Sequence, residues 1–165
     1  MRNRNEAARR FEGVRGLIFD LDGTLLDSKL DLALSVNAAM AEMVRSKLPH
    51  ETLYGLVGDG APMLIQRSLG NGASEEECKR ALGFFVRYYR EHALDNTVPY
   101  PGVREGLELL GEMPMAVLTN KPERVSRFIL ERLGLASYFR RIYGGNTFER
   151  KKTGSHRRGD GFEGV

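Results

Sequence analysis

The chain has a single cysteine, Cys78, no tryptophan and only three histidines. One thiol excludes an internal disulfide framework. Cys78 lies in the acidic stretch Ser74-Glu75-Glu76-Glu77-Cys78 and reads as an ordinary helical thiol. His50, His92 and His156 are far apart, so no pair has metal-ligand spacing. No apolar run approaches the roughly 18 residues that cross a bilayer. The opening Met1-Arg2-Asn3-Arg4-Asn5-Glu6 is basic without the apolar segment of a signal peptide. No membrane association is expected, and the chain reads as cytoplasmic. An excess of one charge is also lacking: 25 basic and 22 acidic residues leave a formal charge of +3, too mild to imply a nucleic-acid partner. With 41% hydrophobic and 28% charged residues, the composition is that of a globular chain. Its 165 residues allow one domain or a small core with a subdomain.

What the chain does have is concentrated in residues 14–28. Leu17-Ile18-Phe19 is a short bounded apolar run that predicts a buried strand. It stops at Asp20, and a second carboxylate follows at Asp22, before Gly23 and Thr24. In an open α/β sheet, ligands sit beyond the carboxyl ends of the strands, which places Asp20 at a site and Asp22 in the loop leaving it. Gly23 suits a tight path with positive φ. Thr24 offers a hydroxyl and a backbone N–H to an anion. Two carboxylates at this spacing suit phosphoryl transfer: one can attack phosphorus, and the other can protonate the leaving oxygen and then deprotonate water. Because carboxylates repel a phosphate dianion, Mg²⁺ is expected with them; it takes oxygen ligands and often needs only one or two protein carboxylates. A plain polar turn could also read Asp-Leu-Asp-Gly-Thr, but the apolar run directly before it favours a site.

Phe19-Asp20-Leu21-Asp22-Gly23-Thr24-Leu25 resembles the first motif of the haloacid dehalogenase-like hydrolases, and the chain is similar to their phosphoglycolate phosphatase branch. The resemblance implies that Asp20 is the nucleophile and binds Mg²⁺ through its carboxylate. It implies that Asp22 is the acid/base and binds Mg²⁺ through its backbone carbonyl. True dehalogenases lack an acid at the second place, so Asp22 points to phosphate chemistry. Thr119 and Asn120 end the apolar run Met115–Leu118; Thr119 fits the second motif, whose hydroxyl binds the transferring phosphoryl group, and Asn120 adds an amide at the same rim. Lys152, in Lys151-Lys152-Thr153, fits the third motif's lysine, with Thr153 where a proline is usual.

Between the first two strands, residues 28–96 read as helical throughout. A stripe of Leu30, Leu32, Leu34, Val36, Met40, Met43 and Val44 predicts a helix over about 29–47, ended by Pro49. Gly55-Leu56-Val57-Gly58-Asp59-Gly60-Ala61-Pro62 opens a second helix, and no Gly-Lys-Ser/Thr follows that would make it a P-loop. Ser74 and Glu77 read as a capping box for a third helix running to about 93. The expected architecture is therefore α/β, a Rossmann-like parallel sheet with an inserted all-helical cap: a core from 1–27 and 97–152, and a cap from 28–96. The resemblance places Leu56–Gly60 and Arg67 on the cap face toward the site, where Arg67 could pair with a substrate carboxylate. Asp59 stands where the family often has asparagine. Thr97–Val103 is an extended return into a helix at about 102–111. Lys121-Pro122 opens the next helix, with Val125, Phe128, Ile129 and Leu133 toward the sheet, and Arg141–Tyr143 forms a third strand.

The resemblance covers about 13–152. Residues 153–165 carry four glycines and no apolar periodicity, and read as a disordered tail. A fourth, acidic motif and two further strands of the family pattern are expected there and are not found; Gly159-Asp160-Gly161 has no apolar strand before it. The expectation is a truncated chain: a Mg²⁺-dependent phosphatase acting on a small phosphoglycolate-like monoester through an aspartyl-phosphate, impaired in activity. A phosphomutase on the same fold and a non-catalytic remnant are the alternatives.

Overall fold

The computed structural model describes residues 13–147; Lys152 and the tail from 153 lie outside the described residues. The elements follow in the order β1 (Leu17–Phe19), β2 (Leu26–Asp27), α1 (Lys29–Glu42), α2 (His50–Tyr54), α3 (Ala61–Leu69), α4 (Glu75–His92), β3 (Val98–Pro99), α5 (Val103–Leu109), β4 (Met115–Leu118), α6 (Glu123–Arg132), a 3₁₀ turn (Ala136–Tyr138) and β5 (Arg141–Tyr143). The strands β1, β4 and β5 form a parallel sheet in the order β1-β4-β5. All elements between β2 and β3 are helices, as the 28–96 pattern predicts.

Glu75–His92 starts at a complete capping box. The Ser74 hydroxyl accepts from Glu77 N–H at 3.2 Å, and Glu77 accepts from Ser74 N–H at 2.9 Å. The Ser74 backbone bond, and then Arg45 at 2.9 Å, lower the Glu77 carboxyl to a pKa of about 2. Arg45 also donates to Leu69 O at 3.2 Å, so one side chain ties α1 to the end of α3 and the start of α4.

Helix α1 stops at Glu42, short of the expected 47. Arg45 N–H reaches back to Met40 O at 2.9 Å and Val44 N–H to Ala41 O at 3.0 Å, the bond pair of a Schellman termination. That motif needs a left-handed residue at Val44, which has φ 56° and is 94% exposed. A β-branched residue is strained there, where glycine is not. Val44→Gly is therefore expected to raise stability by about 0.5–1 kcal/mol, read from the urea midpoint; a lowered midpoint would show that Val44 is not strained.

Several helix faces differ from the sequence pattern. In α1, Leu32, Val36 and Met40 are buried, but Leu30 and Leu34 are exposed, because only one face of the helix packs, chiefly on α4. In α6, Ile129 and Leu130 are buried while Phe128 is exposed. The structure adds two features. His50–Tyr54 is a short helix behind Pro49. Leu26–Asp27 and Val98–Pro99 form an antiparallel ribbon, with Leu26 opposite Pro99, where the chain leaves the sheet for the helices and returns. Asp31, 1% exposed at the start of α1, accepts from Asn96 N–H at 3.0 Å and Thr97 N–H at 2.8 Å. It also accepts from the Asn96 amide at 2.8 Å and the Thr97 hydroxyl at 2.7 Å. Both crossings are thus tied at one carboxylate.

The buried residues form one continuous cluster that includes Val117, Ile129 and Ile142 on the sheet side and Val36, Leu53, Ile65 and Phe85 among the helices. Strand β1 is apolar on both faces, and it lies at the sheet edge among the described residues, with Ile18 50% exposed, as expected of this strand when no further strand pairs beside it. An apolar strand with open backbone groups templates pairing with another chain. The purified chain is accordingly expected to self-associate, and Ile18→Lys to shift it toward monomer in sedimentation velocity. A parent chain that sediments as a monomer, unchanged by Ile18→Lys, would contradict this.

Candidate active site

The site forms where β1 and β4 end side by side. Their register pairs Phe19 with Val117, so Asp20 and Thr119 follow at the carboxyl rim of two adjacent parallel strands. Thr119 is buried, and its N–H donates to Tyr143 O at 3.0 Å, extending the ladder one step toward β5. The Asp20 carboxylate accepts from Leu21 N–H at 2.8 Å. Asp22 sits in the turn after β1 and accepts from the Ser28 hydroxyl at 2.5 Å. Gly23 takes φ +79°, the left-handed path expected of it.

Asp20, Asp22, Thr119 and Asn120 line one cleft, of about 90 Å³, between the sheet rim and the helices. This is room for a few waters or a small anion. The facing wall is apolar: Val57, Leu64, Phe85 and Val86 from the helical side, with Val125 from α6. Asn120 donates to Gly58 O at 2.8 Å and so links the rim to the loop before α3; its Oδ1 is buried without a hydrogen-bond partner among the described residues.

The loop that carries Thr119 and Asn120 is braced from behind by Gly144 and Gly145. Gly145 N–H donates to Lys121 O at 3.0 Å. A Cβ on Gly145 would lie 2.4 Å from Asn120 O, and one on Gly144 2.1 Å from Glu123 N. Only glycine allows the exit of β5 to pass this close to the rim.

Lys121 is the residue that sequence reasoning missed. The sequence marks it only as a helix start, but its side chain is buried in the cleft wall. Its ammonium lies 3.0 Å from Asp22 Oδ1 and donates to the Tyr89 hydroxyl, from α4, at 2.7 Å. It also stands over the Tyr89 ring, 4.6 Å from the centroid. Burial opposes its charge, yet the Asp22 carboxylate, followed by Tyr89, outweighs burial and holds Lys121 above the usual lysine range. Burial is also the main reason that the Tyr89 phenol is pushed up. The sequence did carry a signal: Lys121 follows Thr119 by two residues on the strand-end loop, and Tyr89 repeats Phe85 one helical turn on, the two rings stacking at 5.6 Å.

Three expected site residues do not join this cluster. Arg67 pairs with Asp59 at 2.7 Å, both side chains are largely exposed, and Arg67 is not among the residues lining the cleft. Gly23 and Thr24 are exposed and also lie outside the lining. Their N–H groups are spent in the turn, on Leu26 O at 2.9 Å and Leu21 O at 3.3 Å, so the local turn takes the donors that an anion would need. Lys152 lies outside the described residues.

The chain is similar to known proteins over most of its length. Residues 17–156 match the family of haloacid dehalogenase-like hydrolases. A phosphoglycolate phosphatase of Pseudomonas syringae pv. tomato is 44% identical over 143 residues, covering 82% of this chain and 52% of the relative. One from Chromobacterium violaceum is 41% identical over 145 residues, covering 84% and 65%. The chain thus spans between about half and two thirds of the length of these curated relatives. A crystal structure of a predicted phosphoglycolate phosphatase from Haemophilus somnus 129PT superposes with a TM-score of 0.78 at 33% identity, covering 84% of this chain and 65% of that one.

Proposed function

The chain belongs to the haloacid dehalogenase-like hydrolase family, and from that premise we propose that its cleft hydrolyses a small phosphate monoester of the phosphoglycolate kind. The observation that supports this most is the convergence of Asp20, Asp22 and Thr119 on one small cleft at the ends of adjacent parallel strands. In this reading an Asp20 oxygen attacks phosphorus and the bond to the leaving oxygen breaks. Asp22 gives that oxygen its proton, so the alcohol leaves neutral. Water then attacks the aspartyl-phosphate, Asp22 takes the water's proton, and inorganic phosphate and the Asp20 carboxylate are regenerated. The Thr119 hydroxyl holds the phosphoryl oxygens, and Lys152 offsets their charge. The helices from α1 to α4 act as the cap, closing an apolar wall over the reacting group and excluding water.

The donor set fits Mg²⁺ in part. Asp20 and Asp22 supply hard oxygens on the same cleft. No group of three or more potential metal-binding side chains occurs among the described residues. Mg²⁺ keeps several waters and is often held by one or two carboxylates, so these two residues would hold it. When bound it would neutralise charge between the carboxylates and the phosphate dianion.

Phosphate release from 2-phosphoglycolate in Mg²⁺, followed under single-turnover conditions, tests the reading. Slow release that exceeds the Asp20→Asn background supports it. Release that is the same in both chains removes Asp20, and with it this function.

A further inference from the structure

We propose that Lys121 is the specificity-determining residue of this cleft: its ammonium binds the carboxylate of a substrate that carries a phosphate ester and a carboxylate on one short carbon unit. The inference rests on the phosphatase reading above and names the group that selects the substrate. Among the described residues that line the cleft, Lys121 is the one cation, and it is buried there, 7% exposed. An ammonium has three N–H donors. Two are directed to the Tyr89 hydroxyl at 2.7 Å and Asp22 Oδ1 at 3.0 Å. The third has no hydrogen-bond acceptor among the described residues. A buried charged donor without an acceptor is costly, and the neighbouring wall of Leu64, Phe85 and Val125 supplies none.

The position suits the organic end of the substrate rather than the phosphoryl end. Asp22 is the group that protonates the leaving oxygen, and Lys121 touches Asp22. A carboxylate two bonds from that oxygen therefore comes within reach of the same ammonium. Tyr89 holds the ammonium from the helical side, so the carboxylate and the cap meet at one charge. Arg67, the other basic candidate for this role, is engaged by Asp59 outside the cleft lining.

The test compares binding of 2-phosphoglycolate with binding of ethyl phosphate, which has the same ester and a methyl group in place of the carboxylate. Titration calorimetry on the full 165-residue chain reads the ratio of the two affinities. The parent chain is expected to prefer phosphoglycolate by about tenfold or more, the size of one charge-assisted hydrogen bond. Lys121→Met is expected to bring the ratio near one. Tyr89→Phe keeps the ammonium and frees a donor, so its ratio should equal or exceed the parent's; this arm decides the matter if Lys121→Met does not fold. A preference that persists in Lys121→Met, or that collapses in Tyr89→Phe, overturns the assignment and leaves the phosphatase reading intact. Equal binding of both esters by the parent does the same. A parent that binds neither ester overturns the phosphatase reading and the assignment together.

Discussion

Asp20→Asn is expected to abolish covalent phosphate capture and to lower any turnover by on the order of 10⁴-fold or more, the scale seen when a nucleophile is removed from a catalytic set. The cause is local. An amide has nearly the shape of a carboxylate, so the bond from Leu21 N–H to the side-chain oxygen can persist and the fold should hold. What is lost is the anionic oxygen that attacks phosphorus in the proposed reaction. The other groups of the rim, Thr119 and Asn120, still line the cleft, so in the proposed reading weak affinity for the ester should survive the loss of chemistry. Phosphate capture that is undiminished in Asp20→Asn would remove Asp20 from the nucleophile role.

The largest effect on stability is expected at Asp31. This carboxylate is 1% exposed and accepts from the backbone and side chains of both Asn96 and Thr97. Alanine there leaves the N–H and hydroxyl of buried Thr97 without their acceptor, which costs about 3–5 kcal/mol at a charged, networked site. A domain of this size has about 5–15 kcal/mol in total, so a melting point lower by roughly 10 °C, or a chain that no longer folds, is expected. Asp31→Asn should fall between, because one of its two positions then presents N–H groups to other N–H groups. The same carboxylate joins the outgoing and returning crossings beside the β2–β3 ribbon, so its loss should also loosen the helices over the cleft. A thermal unfolding curve of Asp31→Ala that overlays the parent's would show that the joint contributes nothing.

The strand ends were legible because their signal is local. Leu17-Ile18-Phe19 stops at Asp20, and Met115–Leu118 stops at Thr119, so each apolar run points its last residue at the rim. Ser74 and Glu77 were legible for the same reason: a capping box closes within one turn. Long-range contacts were not. Lys121 becomes part of the site only when Tyr89, 32 positions earlier, is folded over it. Arg67 is diverted by Asp59, an ion pair that residue types allow but do not require. Leu30, Leu34 and Phe128 show a different limit: apolar residues on a helix outnumber the places that its single packed face can cover.

Acid-quenched mass spectrometry of the chain, after mixing with 2-phosphoglycolate and Mg²⁺ and reductive trapping of any acyl-phosphate, tests the central claim most directly. The account predicts a trapped adduct mapping to Asp20 and absent from the Asp20→Asn chain. An adduct on another residue, or continuing phosphate release with no adduct at Asp20, would contradict it.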